Sequence, residues 1–393
     1  MNISLEVSYK SLCKQGEELC GDKLEIIKTE DSDIIILSDG MGSGVKANIL
    51  ATLTSKILGT MLRQGARLED CVDTIAKTLP VCSIRKVAYS TFSILQIFGN
   101  GKAYLVEYDN PGCVFVRGKK IMNIPYRIKN IEDKTIREYY FDVQLGDYFV
   151  LFSDGVVHAG TGNLLSFGWG WQGAAEYVRK ACAQNVSSPR LVSMLCRACK
   201  DLYMGAPGDD TTVATVRIMP RTTTRVMVGP ASSAEIDGEQ VRRLMAASGK
   251  KIVCGGTTSK IVARELGKKI DVDLKYYDDD VPPTAYIEGV DLVTEGILTL
   301  SAAEKLMEAC QKEYGSNVKS SGPVNLEKKD GATKLVKMLV QDCTDIVFMM
   351  GQADNPAHQN IDAPINLSIK VRIIQHMAEL LEQMGKKSVI EYY

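Results

Sequence analysis

A continuous apolar run that ends in a polar turn is the feature that most constrains this chain. In "DIIILSDGMGSG", Asp33 to Gly44, apolar residues lead into Ser-Asp-Gly and then into a glycine-rich turn. Such a run, bounded by turn residues, is typical of a strand that is buried on both faces. A similar ending recurs in "YFVLFSDGV", Tyr148 to Val156. One Ser-Asp-Gly is an ordinary turn, because Asp bonds to nearby backbone and Gly accepts positive φ, but two indicate a common cause.

The segments around these strands indicate an α+β fold. After the first turn, the apolar residues of 45–65 recur at helical spacing, which predicts an amphipathic helix packed against a sheet. The apolar positions of this helix are Val45, Ile49, Leu50, Leu53, Ile57, Leu58, Met61 and Leu62. Alternating runs such as "STFSILQIFG" and "KAYLVEY" are separated by Gly, Asn and Pro, as in an antiparallel meander. Strand runs packed with helical hairpins favour α+β organisation over a βαβ repeat.

In the first half of the chain, four aspartates stand beside a glycine at a strand end or tight turn: Asp22, Asp39, Asp154 and Asp209. Strand ends from distant sequence converge when two antiparallel sheets pack together, and carboxylates gathered in one cleft repel unless cations neutralise them. Oxygen ligands favour the hard ions Mg²⁺ or Mn²⁺, and the chain has only three histidines, none beside these motifs. Gly40 fits such a site because the lack of a Cβ lets its main-chain carbonyl approach a metal.

The ordered set "SDGMGSGVKA", "SDGV" and "GDDTTVATV" resembles the metal-dependent serine/threonine protein phosphatase family (PPM). Within that family it is most similar to the bacterial phosphatase domains of the stage II sporulation protein E (SpoIIE) type. The resemblance covers about residues 1–218. It implies a PPM-type αββα sandwich of two antiparallel sheets, with a centre of two Mn²⁺ or Mg²⁺ ions at one end.

Matched position by position, the resemblance implies roles for six residues. It implies metal-binding and catalytic roles for Asp22, Asp39, Asp154 and Asp209, ligation by the backbone carbonyl of Gly40, and an outer-shell role for Asp210. Eukaryotic members carry a phosphate-gripping arginine on the first strand, where this chain has Lys10 and Lys14. In the SpoIIE-type subgroup the helix after the first Ser-Asp-Gly is regarded as a regulatory switch. An ordinary packing helix is equally consistent with its periodicity.

The expected activity follows from this centre. Two divalent ions about 4 Å apart share a water, lower its pKa and hold phosphate oxygens. The resemblance therefore implies hydrolysis of phosphoserine or phosphothreonine on a partner protein, with a phosphorylated regulator of the anti-anti-sigma type expected by analogy. Two alternatives stay open: a catalytically silent PPM-fold signalling module that works by binding, and a small-molecule phosphohydrolase. The oligomeric state is also open, with a homodimer among the possibilities.

The second half of the chain differs from the first in composition and in the pattern of its apolar residues. Residues 219–236 are poor in apolar side chains and contain Pro220 and Pro230, which predicts a linker with an embedded short strand. Residues 237–393 alternate helix and strand patterns, which favours a smaller α/β open-sheet domain with a regulatory or ligand-binding role.

One turn of this second half is a candidate anion site. In "IVCGGTTSKIV" a strand leads into a helix through Gly255, Gly256, Thr257 and Thr258. Backbone N–H groups and the helix dipole favour an anion at such a helix start. The pattern matches neither G-x-G-x-x-G nor Walker A, so an ordinary βα turn is the simpler interpretation.

Composition limits the classes of partner. The chain has 47 basic and 48 acidic residues, a net charge of −1. It therefore lacks the overall positive charge that favours binding to nucleic acid or to an anionic membrane, and we expect neither partner. The apolar runs are far shorter than the roughly 20 residues of a membrane span, and the N-terminus lacks a signal-peptide pattern, so the cytoplasm is the expected location. The 11 cysteines form no regular framework, which indicates reduced thiols. The one C-x-x-C, Cys196 and Cys199, lies in a helical pattern, and we do not expect it to bind metal.

Overall fold

A computed structural model describes residues 3–78, 90–131, 134–162, 164–273, 275, 277–314, 324–353 and 363–393. The chain divides into two compact units, Met1–Pro220 and Arg221–Tyr393. Each unit has its own sheets and core.

The first unit contains β-strands and helices in the following chain order: β1 Ile3–Leu12, β2 Asp22–Lys28, β3 Ser32–Gly40, α1 Gly44–Arg63, α2 Leu68–Thr78, β4 Ser90–Phe98, β5 Lys102–Tyr108, β6 Val114–Arg117, β7 Lys120–Ile121, β8 Tyr126–Ile131, β9 Lys134–Asp142, β10 Tyr148–Phe152, α3 Asp154–Val157, α4 Gly170–Cys182, α5 Ser188–Leu202 and β11 Thr211–Pro220. Within the described residues these strands form a 5-stranded sheet, β1-β11-β10-β6-β7, and a 6-stranded sheet, β2-β3-β4-β5-β9-β8. The strand pairs of both sheets are antiparallel.

The side chains of β3 show why its apolar run is unbroken. Ile35 and Leu37 lie in the core between the two sheets, together with Phe149 on the opposite sheet. Ile34 and Ile36 point the other way, into the core under α1 and α2. The outer face of the 5-stranded sheet is covered by α4 and α5. The unit is therefore the αββα sandwich of two antiparallel sheets that the sequence predicts.

Helix α1 packs on its sheet mainly through small side chains, with Leu58 and Leu62 as buried large residues. The buried positions on this face include Ala47, Ala51, Thr54, Ser55 and Gly59. A Cβ on Gly59 would lie 3.0 Å from Cδ1 of Ile27, so helix and sheet approach closely. Leu58 and Leu62 are buried as predicted, but the prediction is wrong for four large residues, which are exposed: Val45 60%, Ile49 51%, Leu53 51% and Ile57 39%. The close approach leaves room only for small residues beneath the first turns of the helix.

The second unit contains the following elements: β12 Thr223–Val228, a 3₁₀ turn Ala234–Ile236, α6 Asp237–Met245, β13 Lys251–Cys254, α7 Gly256–Leu266, β14 Asp271–Val272, β15 Ala285–Tyr286, β16 Leu292–Thr294, α8 Ile297–Tyr314, α9 Gly331–Gln341, β17 Asp345–Met350, α10 Ala363–Gln383 and β18 Lys387–Tyr392. In the described part of this unit they form a 7-stranded sheet, β14-β15-β16-β13-β12-β17-β18. The five strands from β16 to β18 pair in parallel.

Both faces of this second sheet are covered, which confirms the predicted α/β organisation. Val226 and Ile252 lie in the core with α8, α9 and α10, whereas Met227 and Val253 lie in the core with α6 and α7. The chain runs from β12 outward to β13 and β16, then returns to place β17 and β18 on the other side of β12. The strand order therefore reverses between β12 and β17, the kind of position where open α/β sheets bind ligands.

The linker predicted at 219–236 differs from the structure. Residues 219 and 220 end β11. Thr223–Val228 is an interior strand of the second sheet, paired with both β13 and β17. The short strand predicted within this segment is therefore present, but its interior place is not predicted, because its polar residues Thr223, Thr224 and Arg225 resemble the composition of a connecting segment.

Candidate metal centre

Two of the predicted aspartates face each other across one pair of strands. Asp22 begins β2 and Asp39 stands near the end of β3, and the antiparallel register places them directly opposite. The side chains of such cross-strand partners are close neighbours. Gly40 follows Asp39 as the last residue of β3, and its N–H donates to the carbonyl oxygen of Gly21 at 3.2 Å.

The other sheet supplies the remaining aspartates. Asp154 starts α3 just after β10, and Asp209 and Asp210 come just before β11. Strands β10 and β11 are neighbours, with Phe152 opposite Val213, so the end of one strand lies beside the start of the next. The four aspartates that the sequence predicts to converge, with Asp210 beside them, therefore lie at one end of the sandwich.

Electrostatics confirm that these carboxylates share one environment. Burial raises the pKa of Asp39 far above the ordinary carboxyl range, and the charges of Asp22, Asp154 and Asp209 raise it further. Burial also raises the pKa of Asp22 to about 7, with a hydrogen bond from Ser153 opposing the shift. The pKa of Asp154 is raised by burial and by Asp209. Without a counter-charge the cluster is therefore driven to keep protons.

The donor set fits hard divalent ions. Asp22 is 4% exposed, and its Oδ1 has no hydrogen-bond partner among the described residues. A buried carboxylate oxygen without a partner is costly unless a cation or proton occupies its lone pairs. Carboxylate and carbonyl oxygens are the ligands that Mg²⁺ and Mn²⁺ prefer. Asp22, Asp39, Asp154, Asp209 and the Gly40 carbonyl could hold such ions.

Three glycines let the backbone close around the cluster. A Cβ on Gly40 would overlap the carbonyl oxygen of Ala47 in α1, and a Cβ on Gly155 would overlap the carbonyl oxygen of Asp210. A Cβ on Gly21 would lie 2.9 Å from Oδ2 of Asp210. In each Ser-Asp-Gly motif, then, the glycine is required because another segment approaches the chain directly behind the aspartate.

Sequence reasoning missed one residue that positions the cluster. The Ser153 hydroxyl donates to Oδ2 of Asp22 at 2.7 Å and accepts from the backbone N–H of Thr212 at 2.8 Å. Ser153 is the serine of the second Ser-Asp-Gly motif, so the repeated serine was the available signal. The serine of the first motif behaves differently, since Ser38 is buried and its Oγ has no partner within the described ranges.

An open pocket of about 380 Å³ adjoins Asp154. Arg137, His158 and Trp171 line it together with that aspartate. Arg137 lies directly opposite Glu107 in the β5–β9 register, and its guanidinium is 3.6 Å from that buried carboxylate. The pocket therefore has an anchored cation and an aromatic wall immediately beside the carboxylate cluster.

Only part of the candidate anion site of the second unit is exposed to solvent. Gly255 has a φ of +117°, and Gly256 and Thr257 are exposed at the start of α7. Thr258 is 1% exposed, and its Oγ1 accepts from the N–H of Gly229 at 3.0 Å. That oxygen ties the end of β12 to α7, so the exposed donors for an anion are confined to Gly256 and Thr257.

Fold and site together define the class of the first unit: a metal-dependent phosphatase sandwich with acidic residues at one end. A family model described as stage II sporulation protein E (SpoIIE) matches residues 29–219. Residues 29–219 therefore match a SpoIIE-type domain, the subgroup of the PPM family that the motifs resemble. The match begins after Asp22, so the case for that residue rests on its register opposite Asp39 and its hydrogen bond from Ser153.

Solved structures resemble part of the chain. The phosphatase domain with a regulatory fragment of SpoIIE from Bacillus subtilis is 20% identical, with a TM-score of 0.46, over 55% of this chain and 64% of that one. The RsbU and RsbW domains of Rv1364c from Mycobacterium tuberculosis are 15% identical, with a TM-score of 0.45, over 61% and 67%. The S. agalactiae serine/threonine phosphatase is 16% identical, with a TM-score of 0.40, over 55% and 99%. No curated protein matches the chain.

Across the described ranges, no helix combines the length and the apolar character that a membrane span requires.

Proposed function

We propose that the first unit hydrolyses phosphoserine or phosphothreonine on a partner regulatory protein, with two Mn²⁺ or Mg²⁺ ions held by Asp22, Asp39, Asp154, Asp209 and the carbonyl of Gly40. The observation that carries this proposal is the meeting of buried carboxylates from both sheets. Their mutual repulsion and the unpartnered Oδ1 of Asp22 are features of a site that needs cations.

The chemistry divides between the ions and the chain. When bound, the ions would neutralise phosphate charge and lower the pKa of a water so that it attacks phosphorus at neutral pH. The aspartates fix the positions of the cations, and Ser153 holds the Asp22 carboxylate in place. Asp210 acts from outside this set: its Oδ1 accepts from the Lys14 N–H at 3.0 Å, and its own N–H donates to Oδ1 of Asp209 at 3.0 Å.

Lys14 is suited to contact the substrate phosphate in place of the missing arginine. Its ammonium lies 4.0 Å from Oδ1 of Asp209 and its side chain is 38% exposed, so it remains accessible at the edge of the cluster. Arg137 is less suited to that role. It stands on β9, three strands from β3, which at about 4.8 Å per strand is a separation of about 14 Å across the sheet, and it is also two residues along the strand from the position level with Asp39. We assign Arg137 and the adjoining pocket to a residue that flanks the phosphorylated one.

The partner and the second unit are assigned on separate grounds. A phosphorylated regulator of the anti-anti-sigma type is the substrate class that the motif resemblance implies. The exposed apolar face of α1 supports a regulatory role for that helix, because large exposed apolar patches mark interaction sites. The second unit would recruit the partner or sense a ligand, and its sheet offers a strand-order reversal for binding. The cytoplasm is the compartment that suits such a regulator.

The test compares the wild type with Asp39→Asn and with Asp33→Asn, a matched change at the opposite end of β3. Hydrolysis of p-nitrophenyl phosphate and of a phosphoserine peptide is measured with Mn²⁺, and circular dichroism checks the fold. We expect Asp39→Asn to lose at least about 100-fold in kcat while Asp33→Asn stays close to the wild type.

The other outcomes identify the alternatives. Turnover of the aryl phosphate without turnover of phosphopeptide or phosphoprotein would favour a small-molecule phosphohydrolase. Binding of Mn²⁺ by a folded protein that turns over neither substrate would favour a silent binding module. Equal activity of wild type and Asp39→Asn would refute the proposed centre.

A further inference from the structure

A second group of metal-ligating side chains lies beside the carboxylate cluster. Cys13 follows the end of β1, and Cys20 stands two residues before β2, so both belong to the loop that joins the two sheets. Leu12 pairs with Thr211 at the last position of the β1–β11 ladder, which brings Cys13 level with Asp210. The two thiols and one carboxylate oxygen of Asp210 all lie within 4.8 Å of one another.

The spacing is close to that of a tetrahedral metal site. With Zn–S distances of about 2.3 Å, two thiolates on one ion stand about 3.8 Å apart, and a carboxylate oxygen stands slightly closer to each. The separations exceed these values by at most about 1 Å for the two sulfurs and about 1.3 Å for a sulfur and the carboxylate oxygen, a difference that side-chain rotation covers. Cys13 is exposed and Cys20 is partly exposed, so an ion has a route from solvent.

The Asp210 carboxylate supplies the second, independent observation. The residue is 4% exposed; Oδ1 accepts from the Lys14 N–H, but Oδ2 has no hydrogen-bond partner in the described part of the chain. A buried polar atom without a partner requires an explanation, and an ion or bound water is the usual one. Gly21, directly after Cys20, leaves the space that this oxygen occupies.

We propose that Cys13, Cys20 and Asp210 form a binding site for a thiophilic divalent ion of the zinc class, separate from the oxygen-ligand centre. Thiolate ligands select zinc-like ions, whereas Mn²⁺ and Mg²⁺ prefer the carboxylate and carbonyl oxygens nearby. Three protein ligands leave a fourth position for water on the exposed side of Cys13. The proposal does not depend on phosphatase activity.

A disulfide between Cys13 and Cys20 is the other chemistry that this pair offers. It would use both sulfurs but leave Oδ2 of Asp210 without a partner. A metal ion would bind both sulfurs and the Asp210 carboxylate at once, and for this reason the metal site is favoured.

The experiment uses the full chain, reduced with a phosphine reductant and saturated with Mg²⁺ so that the oxygen centre is filled. Cd²⁺ is added as a spectroscopic probe, because thiolate-to-cadmium charge transfer absorbs in the ultraviolet. The variants are Cys13→Ser and Cys20→Ser, and the control is Cys113→Ser, a partly buried thiol elsewhere in the same unit. Circular dichroism checks each variant, and Zn²⁺ is then used to displace the probe.

We expect the wild type and Cys113→Ser to bind one Cd²⁺ per chain with the thiolate absorption, and Zn²⁺ to displace it. Each cluster variant should lose more than about tenfold in affinity, because loss of a direct ligand costs at least as much as loss of an outer-shell partner. No thiolate absorption in the wild type, or equal absorption in the cluster variants, would overturn the proposal. Ready oxidation of the pair without Cd²⁺ binding would identify a disulfide instead.

Discussion

The Ser153 hydroxyl donates a 2.7 Å hydrogen bond to Oδ2 of Asp22, which lies 131 residues earlier in the chain. The Ser153 Oγ also accepts a hydrogen bond from the N–H of Thr212 at 2.8 Å. One buried hydroxyl thus links the start of β2 in one sheet to β11 in the other. Because Asp22 and Asp39 are cross-strand partners, this bond also fixes the geometry between the two sheets' carboxylates.

Ser153→Ala is expected to weaken metal binding more than it affects chemistry. Removing the hydroxyl frees the Asp22 carboxylate and leaves the Thr212 N–H buried without its acceptor. Loss of such an outer-shell partner typically costs 10–100-fold in metal affinity, and an unsatisfied N–H costs about 1–3 kcal/mol of stability. The measurement is the Mn²⁺ concentration that gives half-maximal activity, together with urea unfolding.

The matched control for this prediction is Ser38→Ala in the first Ser-Asp-Gly motif. The Ser38 Oγ is equally buried but has no hydrogen-bond partner in the described residues, so its removal should change neither quantity by much. If both variants shift the Mn²⁺ requirement equally, Ser153 does not act through Asp22.

Stability of the metal-free protein should fall as pH rises. In the folded state the pKa of Asp22 is raised to about 7, and that of Asp39 is raised further, whereas an unfolded Asp titrates near 3.9. Above about pH 4 the folded state therefore retains protons that the unfolded state has released, and stability decreases through this window. The thermal midpoint of chelator-treated protein should be lower at pH 8 than at pH 5.

Two further measurements test whether the pH dependence of stability comes from the carboxylate cluster. Bound Mn²⁺ supplies the missing counter-charge, so it should flatten the profile on the alkaline side. Asp39→Asn removes one of the interacting carboxyl groups and should flatten the profile of the metal-free protein. A thermal midpoint that rises with pH, or an unchanged profile in Asp39→Asn, would contradict the argument.

Gly155→Ala should be strongly destabilising although it adds a single methyl group. The new Cβ would overlap the carbonyl oxygen of Asp210 and the hydroxyl of Thr211, and backbone cannot yield as a side-chain tip does. Overpacking of this kind costs typically 1–3 kcal/mol or more. Gly99→Ala is the control, because its nearest neighbour would be 3.8 Å away. Urea unfolding measures both, and equal stability of the two variants would show that the loop adjusts freely.

Sequence alone predicted the parts of this molecule that depend on local pattern. The run ending at Asp39 was identified as a doubly buried strand because both of its faces are apolar. The convergence of Asp22, Asp39, Asp154 and Asp209 was predicted from motif order, since strand ends of two packed sheets share an edge. Ser153 was missed because its role exists only through a partner in the other sheet.

Features set by tertiary packing were not predictable in this way. For β12 the sequence predicts only a short strand within a linker, because half of its residues are polar. Its interior place between β13 and β17 depends on β17, a strand more than a hundred residues away. For α1, periodicity identified the helix but not which face is inside. Large apolar side chains usually mark the buried face, and here the closeness of the sheet reverses that preference.

Substitutions on the two faces of α1 test this reversal. Ile49 is 51% exposed and Ala51 is 0% exposed, although the periodicity assigns Ile49 to the buried face. Ile49→Gln should change the free energy of unfolding by no more than about 0.5 kcal/mol, as expected for a surface position. Ala51→Leu should cost about 1–3 kcal/mol, because the added methylenes must enter the narrow space above the sheet. Both are measured by urea unfolding of the full chain, and a larger loss for Ile49→Gln than for Ala51→Leu would mean that the helix packs on its large residues in solution.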